Sequence, residues 1–312
     1  MKVYRSFEDF RPLQGAVVTQ GTFDGVHVGH QKILSRLREM ADSKGKETVL
    51  ITFFPHPRMV LYPDDTSLKL LHTPEEKIEK MTESGIDHLL MVPFTREFSR
   101  LSSMQFIRDI IVNTIGAGTL VIGYDHRFGK NREGSLEDLR EYAAMYGFEV
   151  EEIAARDVDE VHVSSTKIRD ALTEGKVGLA SRYLGYPYAV RGKVIRGHAV
   201  GRELGYPTAN ISVEEAYKLI PADGIYAVKV KSGEKKYGGM ASIGFAPTFE
   251  GRKHAIEVNI FDFEEDIYGH TLSVEFIERI RAEEKFNSRE ALVEQLRQDK
   301  LSALKLLSES VF

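Results

Sequence analysis

The feature that most constrains this 312-residue chain is a change of hydrophobic rhythm near Tyr186. Before it, short apolar runs at 16–19, 48–53, 86–92, 119–123 and 148–153 alternate with segments of helical period, in which Ile33, Leu34, Leu37, Met40 and Ala41 share one face. Strands separated by helices pair in parallel. The alternation therefore predicts a largely parallel sheet with helices on both faces and ligands at the carboxyl ends of the strands. Thr73-Pro74-Glu75-Glu76 offers a capping threonine, a proline at the first helical position and a glutamate at the third, with Gly85 as the stop. Ser102 with Gln105 repeats that signature. After Tyr186, runs at 188–195, 224–230, 237–244, 255–261 and 271–276 follow one another through Gly-rich turns such as Lys231-Ser232-Gly233-Glu234. Strands joined in this way pair antiparallel, and a set this small predicts a β-barrel. Ser288 then opens an amphipathic helix carrying Leu292, Val293, Leu296 and Leu304. The predicted organisation is an α/β domain over 1–183 and a barrel with a terminal helix over 187–312. Leu-Gly-Tyr-Pro occurs at 184–187 and again at 204–207 without a sustained period, as coincidence or as a shared turn.

Composition narrows the chemistry. The absence of cysteine excludes disulfides, Cys-ligated zinc, iron–sulfur clusters and a thiol nucleophile, which leaves oxygen and nitrogen groups to react. A formal net charge of −5 without a Lys/Arg run argues against a nucleic-acid partner. No stretch reaches 18 uninterrupted apolar residues and the start carries no signal-peptide pattern, so the expected setting is the cytoplasm, away from a membrane.

Gly21-Thr22-Phe23-Asp24-Gly25-Val26-His27-Val28-Gly29-His30 follows the first strand and opens the first helix. Its glycines let backbone approach a ligand, and the first amides of the helix with the positive dipole end favour an anion. His27 and His30, three apart at that end, are placed to donate hydrogen bonds to phosphate charge that grows during reaction. Zinc is the competing use of such a pair, but the usual helical spacing is four and no third ligand stands nearby. Two further loops fall at strand ends. Phe53-Phe54-Pro55-His56-Pro57-Arg58 sets an aromatic beside rigid prolines as a wall for a flat ring, and Gly123 to Lys130 mixes Asp125 and Phe128 with glycine and basic groups.

A second glycine-punctuated run, Gly197 to Asn210, contains Gly201, Gly205 and Pro207 and ends with Thr208 and Asn210. Its glycines permit a backbone cradle for polyphosphate, and the hydroxyl and amide oxygens suit Mg²⁺. No Gly-Lys followed by Ser or Thr occurs, so this is not a P-loop. The strand at 255–261 alternates with period two, setting Glu257 and Asn259 opposite Ile256, Val258 and Ile260. A carboxylate on that face is suited to act as a general base toward a hydroxyl.

The His-x-Gly-His pattern resembles that of the nucleotidyltransferase superfamily, and Ser164-Ser165-Thr166-Lys167-Ile168-Arg169 is similar to its second fingerprint. The resemblance implies that His27, His30 and Arg169 grip the phosphates of ATP, with Gly21, Phe23, Asp24, Gly29, Ser164, Ser165 and Thr166 lining the nucleotide. An incoming phosphate then attacks the α-phosphorus without a covalent enzyme intermediate. Gly205 to Asn210, Gly224-Ile225-Tyr226-Ala227, Glu257-Val258-Asn259, and Phe276 to Arg281 through Phe286 resemble the ordered motifs of riboflavin kinase. That likeness implies Mg²⁺ with ATP at Thr208 and Asn210, Glu257 as the base, and Arg281 and Phe286 beside the flavin. Both sets in this order resemble the prokaryotic bifunctional riboflavin kinase/FAD synthetase family along essentially the whole chain. The implied fold is a Rossmann-like adenylyltransferase domain joined to a six-stranded barrel. The implied reactions are riboflavin plus ATP to FMN, then FMN plus ATP to FAD and pyrophosphate. Phe54, Pro55, His56, Pro57, Asp125 and Phe128 would contact FMN. His126, Ser242 and Ala246 depart from the family pattern. Without the resemblance the residues leave two alternatives: a single-activity nucleotidyltransferase whose barrel only binds, and a non-catalytic flavin or nucleotide sensor.

Overall fold

The computed structural model describes residues 1–123, 127–153, 163–197, 200–248 and 251–311, and only the backbone of 200, 246–248 and 251–253. The chain divides into two compact units, Met1–Ser164 and Ser165–Phe312.

In the first unit, β1 (Lys2–Tyr4), β2 (Ala16–Gln20), β3 (Thr48–Phe53), β4 (His88–Val92), β5 (Ala117–Gly123) and β6 (Glu149–Ile153) form one sheet in the order β1-β4-β3-β2-β5-β6, and every pairing is parallel. Strands β3 and β4 are buried at every residue, as expected of central strands covered on both faces. Helix α1 (Val28–Lys44) and α3 (Pro74–Glu83) contribute to the apolar cluster on one face, around Val17, Leu34, Leu37, Leu50 and Met81. The helices after Ser102 and Ser135 cover the other, around Val18, Ile51, Phe106, Ile111 and Leu139. Successive strands step outward from β2 through β3 to β4, after which β5 returns to the opposite side of β2. The carboxyl end of β2 is therefore a topological switch point, the usual place for a ligand in such a sheet.

The cap signatures are realised: Thr73 and Glu76 bond reciprocally, as do Ser102 and Gln105. Beyond Gln105 the helix widens to π geometry over Phe106–Ile115, where the Thr114 hydroxyl donates to the Asp109 carbonyl five residues back (2.7 Å). The sequence pattern did not foresee β1 or α2 (Pro57–Leu61), because three and five residues are too few to display a period.

In the second unit, β7 (Tyr188–Ile195), β8 (Ala209–Ser212), β9 (Gly224–Ser232), β10 (Lys235–Thr248), β11 (Gly251–Ile260) and β12 (Thr271–Arg281) close into an antiparallel barrel in the order β10-β11-β8-β7-β12-β9. Closure leaves no free edge. The terminal helix Arg289–Glu309, capped by Ser288, packs Ala303, Leu296 and Leu307 over Ala227, Met240 and Phe261.

The boundary between compact units differs from the one expected after residue 183. Helices Ser165–Thr173 and Val177–Leu184 belong with the barrel: Gly178 lies against the Glu278 carboxylate and Tyr188 N–H donates to the Ser181 hydroxyl (3.3 Å). Helical period shows that an apolar face exists but not which neighbour covers it. The two Leu-Gly-Tyr-Pro segments are a shared turn, since each glycine follows a helix in the left-handed region, Gly185 at φ 83° and Gly205 at φ 81°.

Candidate active sites

The Gly21 loop leaves the sheet at the switch point and is held by contacts from far along the chain. Asp24, 2% exposed, accepts N–H bonds from Leu71 (3.0 and 3.1 Å) and His72 (3.2 Å). Lys77 Nζ donates to the Thr22 carbonyl (2.7 Å), and the Thr52 hydroxyl donates to the same oxygen (3.1 Å). Phe23 and Val26 sit at φ 46° and 36°, a conformation that costs a bulky side chain on the order of 1–3 kcal/mol and persists only where its surroundings impose it. Such strain is commonest where a loop must present groups to a ligand.

His27 is the N-cap of α1, and His30 N–H donates to its Nδ1 (3.3 Å). Because that nitrogen accepts, the proton of the neutral ring resides on Nε2. The two imidazoles stack with centroids 3.6 Å apart, and Phe23 lies 4.9 Å from His30. Burial lowers His27 to about 4, only partly opposed by Asp24. Burial also takes His30 well below the usual imidazole range, helped by the nearby charges of His27, Lys77 and His72. Both rings are thus neutral near pH 7, serving as hydrogen-bond donors rather than fixed cations. His30 Nδ1 is buried without a partner among the described residues, a polar atom placed for a ligand.

A cavity of about 750 Å³ opens beside this loop, lined by Gly21 and Thr22, by His56 and Pro57, by Phe128, and by Arg127 and Arg132. Its aromatic wall is Phe53, which opens the loop expected to form a ring wall, with Phe94, Phe98 and Phe106, which sequence reasoning had not assigned to a site. Their signal was the spacing of Phe94 and Phe98 just beyond β4. Of the expected ring wall, His56 caps α2 and Pro57 begins it, whereas Phe54 packs into the core cluster around Val17 and Leu34. Pro55 is absent from that lining and follows a cis peptide bond, and Asp125 and His126 lie outside the described residues. Ser164 closes the first unit, while Ser165, Thr166 and Arg169 occupy the first turns of the helix counted with the second.

In the second unit the ladder does the positioning. Glu257 on β11 is the register partner of Asn210 on β8, and the Thr208 hydroxyl donates to Glu257 Oε2 (3.1 Å). Asn259, buried one pleat further on the same face, donates to the Pro207 carbonyl (2.7 Å) and so fixes the backbone that carries Thr208. A cavity of about 500 Å³ is lined by Pro207, Thr208, Arg202, Phe263 and Tyr268. A side chain at Gly197 would collide with the Asn210 amide, so only a glycine lets the chain pass this close to it. Thr208 and Asn210 offer a hydroxyl and an amide oxygen beside this cradle, a donor set that fits Mg²⁺ shared with phosphate. Among the described residues there is no cluster of three or more His, Cys, Asp or Glu able to hold a metal.

Arg281 is committed to a buried ion pair, with Nε and Nη2 on the Asp299 carboxylate (2.8–3.2 Å), while its guanidinium lies 5.5 Å from the Phe286 ring. The structure thus brings Arg281 and Phe286 together and ties Arg281 to the terminal helix. Ser242 lies on β10 opposite Glu257, and the side chain of Ala246 is not described.

Comparison with known proteins matches a FAD synthetase family model over residues 10–167 and a riboflavin kinase family model over residues 184–307. The bifunctional riboflavin kinase/FMN adenylyltransferase of Listeria monocytogenes is 42% identical over 91% of this chain and 90% of its own length. That of Escherichia coli K12 is 35% identical over 97% of each. A crystal structure titled macrolide-efflux protein from Streptococcus pneumoniae superposes with a TM-score of 0.88 at 35% identity, covering 97% of this chain and 98% of that one. Among the described residues of this chain no helix is long and apolar enough to cross a membrane.

Proposed function

We propose a division of labour on the premise, now established, that this chain belongs to the bifunctional riboflavin kinase/FMN adenylyltransferase family: residues up to 183 carry adenylyl transfer and the barrel with its terminal helix, from residue 187, carries the kinase reaction. The chain phosphorylates riboflavin with ATP to give FMN, then adenylylates FMN with a second ATP to give FAD and pyrophosphate.

In the kinase reaction Glu257 takes the proton of the ribityl hydroxyl as that oxygen attacks the γ-phosphorus of ATP, whose bond to the β,γ-bridging oxygen breaks to release ADP. Thr208 and Asn210 would hold Mg²⁺, which when bound screens the charge of the phosphate oxygens. The Gly197 and Gly201 backbone borders the polyphosphate, with Gly205 and Pro207 setting the turn. The observation that carries this reading is the 3.1 Å contact of Thr208 with Glu257 beside Asn210, three residues 49 positions apart or less that the ladder gathers at one rim.

In the adenylyl-transfer reaction the nucleophile is the phosphate oxygen of FMN, already charged, so no base is required. His27 and His30 donate to the phosphate oxygens as charge builds at the α-phosphorus, helped by the first amides of α1 and by Gly21, Gly29 and the Phe23 edge. Ser164, Ser165, Thr166 and Arg169 are assigned to ATP in this reaction on their motif alone. The aromatic cavity with His56, Pro57 and Phe128 takes the isoalloxazine, whose flat ring suits it. The setting is the cytoplasm, and the partners are riboflavin, FMN and ATP rather than nucleic acid or membrane.

Incubating the protein with riboflavin, ATP and Mg²⁺ and separating the flavins by chromatography tests the reading. FMN should appear first and FAD after it, both suppressed by EDTA. FMN without FAD, or turnover indifferent to EDTA, would overturn it.

A further inference from the structure

We infer that Lys77 is a positioning residue for adenylyl transfer, its ammonium group holding the Gly21–His27 loop in the shape that presents the two imidazoles and keeping a positive charge beneath the bound phosphates. The inference rests on the assignment of that loop to adenylyl transfer.

Lys77 lies on α3 and is only 6% exposed. A buried ammonium normally requires a carboxylate partner, yet Lys77 makes no ion pair among the described residues. Its one described hydrogen bond goes to the Thr22 carbonyl (2.7 Å), within the segment that carries Asp24 and His27. With the Thr52 hydroxyl on the same oxygen, the loop is gripped from β3 and α3 together. Helix α3 is itself anchored by the Thr73–Glu76 capping box, just after the Leu71 and His72 amides that bind Asp24. The carboxylate in its field, Asp24, already accepts the Leu71 and His72 amides, which leaves the ammonium charge available to an anion that arrives from outside. The titratable groups around it are Asp24 on the loop, which favours its charge, and His30 and His72, whose charged forms share its neighbourhood.

Burial brings the Lys77 ammonium down to about 8. In the free protein the active, protonated form is therefore lost as pH rises through that value, whereas bound phosphates hold the proton on. The kcat/KM for ATP in FAD formation should fall about tenfold per pH unit above pH ~8, while kcat persists to higher pH. Neither substrate accounts for such a limb, because phosphate monoesters lose their last proton near pH ~6. The imidazoles titrate lower still.

Lys77→Met should lower kcat/KM for ATP in FAD formation by about 10- to 100-fold and abolish the alkaline limb. Lys77→Arg should recover part of the activity and push the limb beyond pH ~10. Riboflavin phosphorylation, assayed in the same full-length preparations, should stay at the level of the unsubstituted protein and so reports folding. A merely structural lysine would alter stability without moving the pH profile. Should Lys77→Met fail to fold, the wild-type limb and its displacement in Lys77→Arg decide the matter. Absence of the wild-type limb, an unmoved limb in Lys77→Arg, or an unaltered profile in folded Lys77→Met each overturns the inference. If His30→Ala also leaves FAD formation intact, the assignment of the loop itself has failed. If His30→Ala abolishes it while Lys77 variants are indifferent, only the role of Lys77 falls.

Discussion

At the carboxyl end of β2 the chain turns through Phe23 and Val26 at φ 46° and 36° and is pinned by residues some fifty positions away, whereas at β8 it simply falls into register, with Asn210 opposite Glu257. The first construction costs strain and long-range contacts, and in return its imidazoles sit buried and neutral at a helix start. The second is inexpensive and leaves its carboxylate half-buried at a sheet rim. The difference follows the nucleophile. An FMN phosphate arrives charged, so its site must stabilise growing negative charge with preorganised donors in a dry setting. A ribityl hydroxyl arrives neutral, so its site must accept a proton and needs a basic atom within reach more than a desolvated cage.

Separating the two reactions by mutation is the strongest way to break this comparison. Glu257→Ala should lower riboflavin phosphorylation by about 10²- to 10⁴-fold and leave the conversion of supplied FMN to FAD unchanged. His30→Ala should do the converse, lowering FAD formation by about 10²- to 10³-fold while FMN formation continues. Both are measured by flavin chromatography with riboflavin and FMN supplied in turn. Equal damage to both reactions by either variant in folded protein would show that the sites are not independent.

How much of this was legible in the sequence depends on which force does the positioning. Local signals carried well: the capping boxes at Thr73 and Ser102, the rhythm change near Tyr186, and the period-two strand that holds Glu257 all took the expected form. The meeting of Glu257 with Thr208 was implied by the resemblance to riboflavin kinase, whereas the period-two strand alone showed only which face Glu257 occupies. Lys77 was invisible, since a lysine in a charged helical stretch ordinarily faces water and nothing local marks it as buried beneath Thr22. Asp24 was expected beside phosphate, and in the fold its carboxylate is occupied by the Leu71 and His72 amides, a contact made across 47 and 48 residues. The helices at 165–184 went to the other compact unit for the same reason: periodicity shows an apolar face, and tertiary packing chooses its partner.

Protonation offers a finer probe of the contrast. Between pH ~6.5, where an unfolded histidine titrates, and about 4, where folded His27 does, the unfolded chain binds a proton that the folded chain refuses. Stability in this region therefore falls as pH drops through that window, by up to about 3 kcal/mol for His27, with His30 adding in the same direction. Urea unfolding at a series of pH values, followed by hydrogen exchange of the α1 amides, should show the decline. His27→Asn keeps an N-cap acceptor but removes the titration, and it should flatten the curve. An unchanged slope in that variant would assign the acid sensitivity elsewhere.

The smallest expected effect uses the repeated tetrapeptide as its own control. Gly185 and Gly205 share sequence context and left-handed backbone, but only Gly205 belongs to the turn that delivers Pro207 and Thr208 to the kinase rim. No atom lies within 4 Å of a Cβ at Gly205, so an alanine there is penalised by its backbone conformation rather than by a clash. Gly185→Ala and Gly205→Ala should each cost about 1 kcal/mol of stability, the price of an alanine in the left-handed region. Only Gly205→Ala should also raise the KM for ATP in riboflavin phosphorylation, by about fivefold if a similar free energy is lost from the bound state. Neither should alter FAD formation from supplied FMN. An equal rise in KM from both variants would mean that the effect travels through general stability, and that the turn before Thr208 does not shape the nucleotide site.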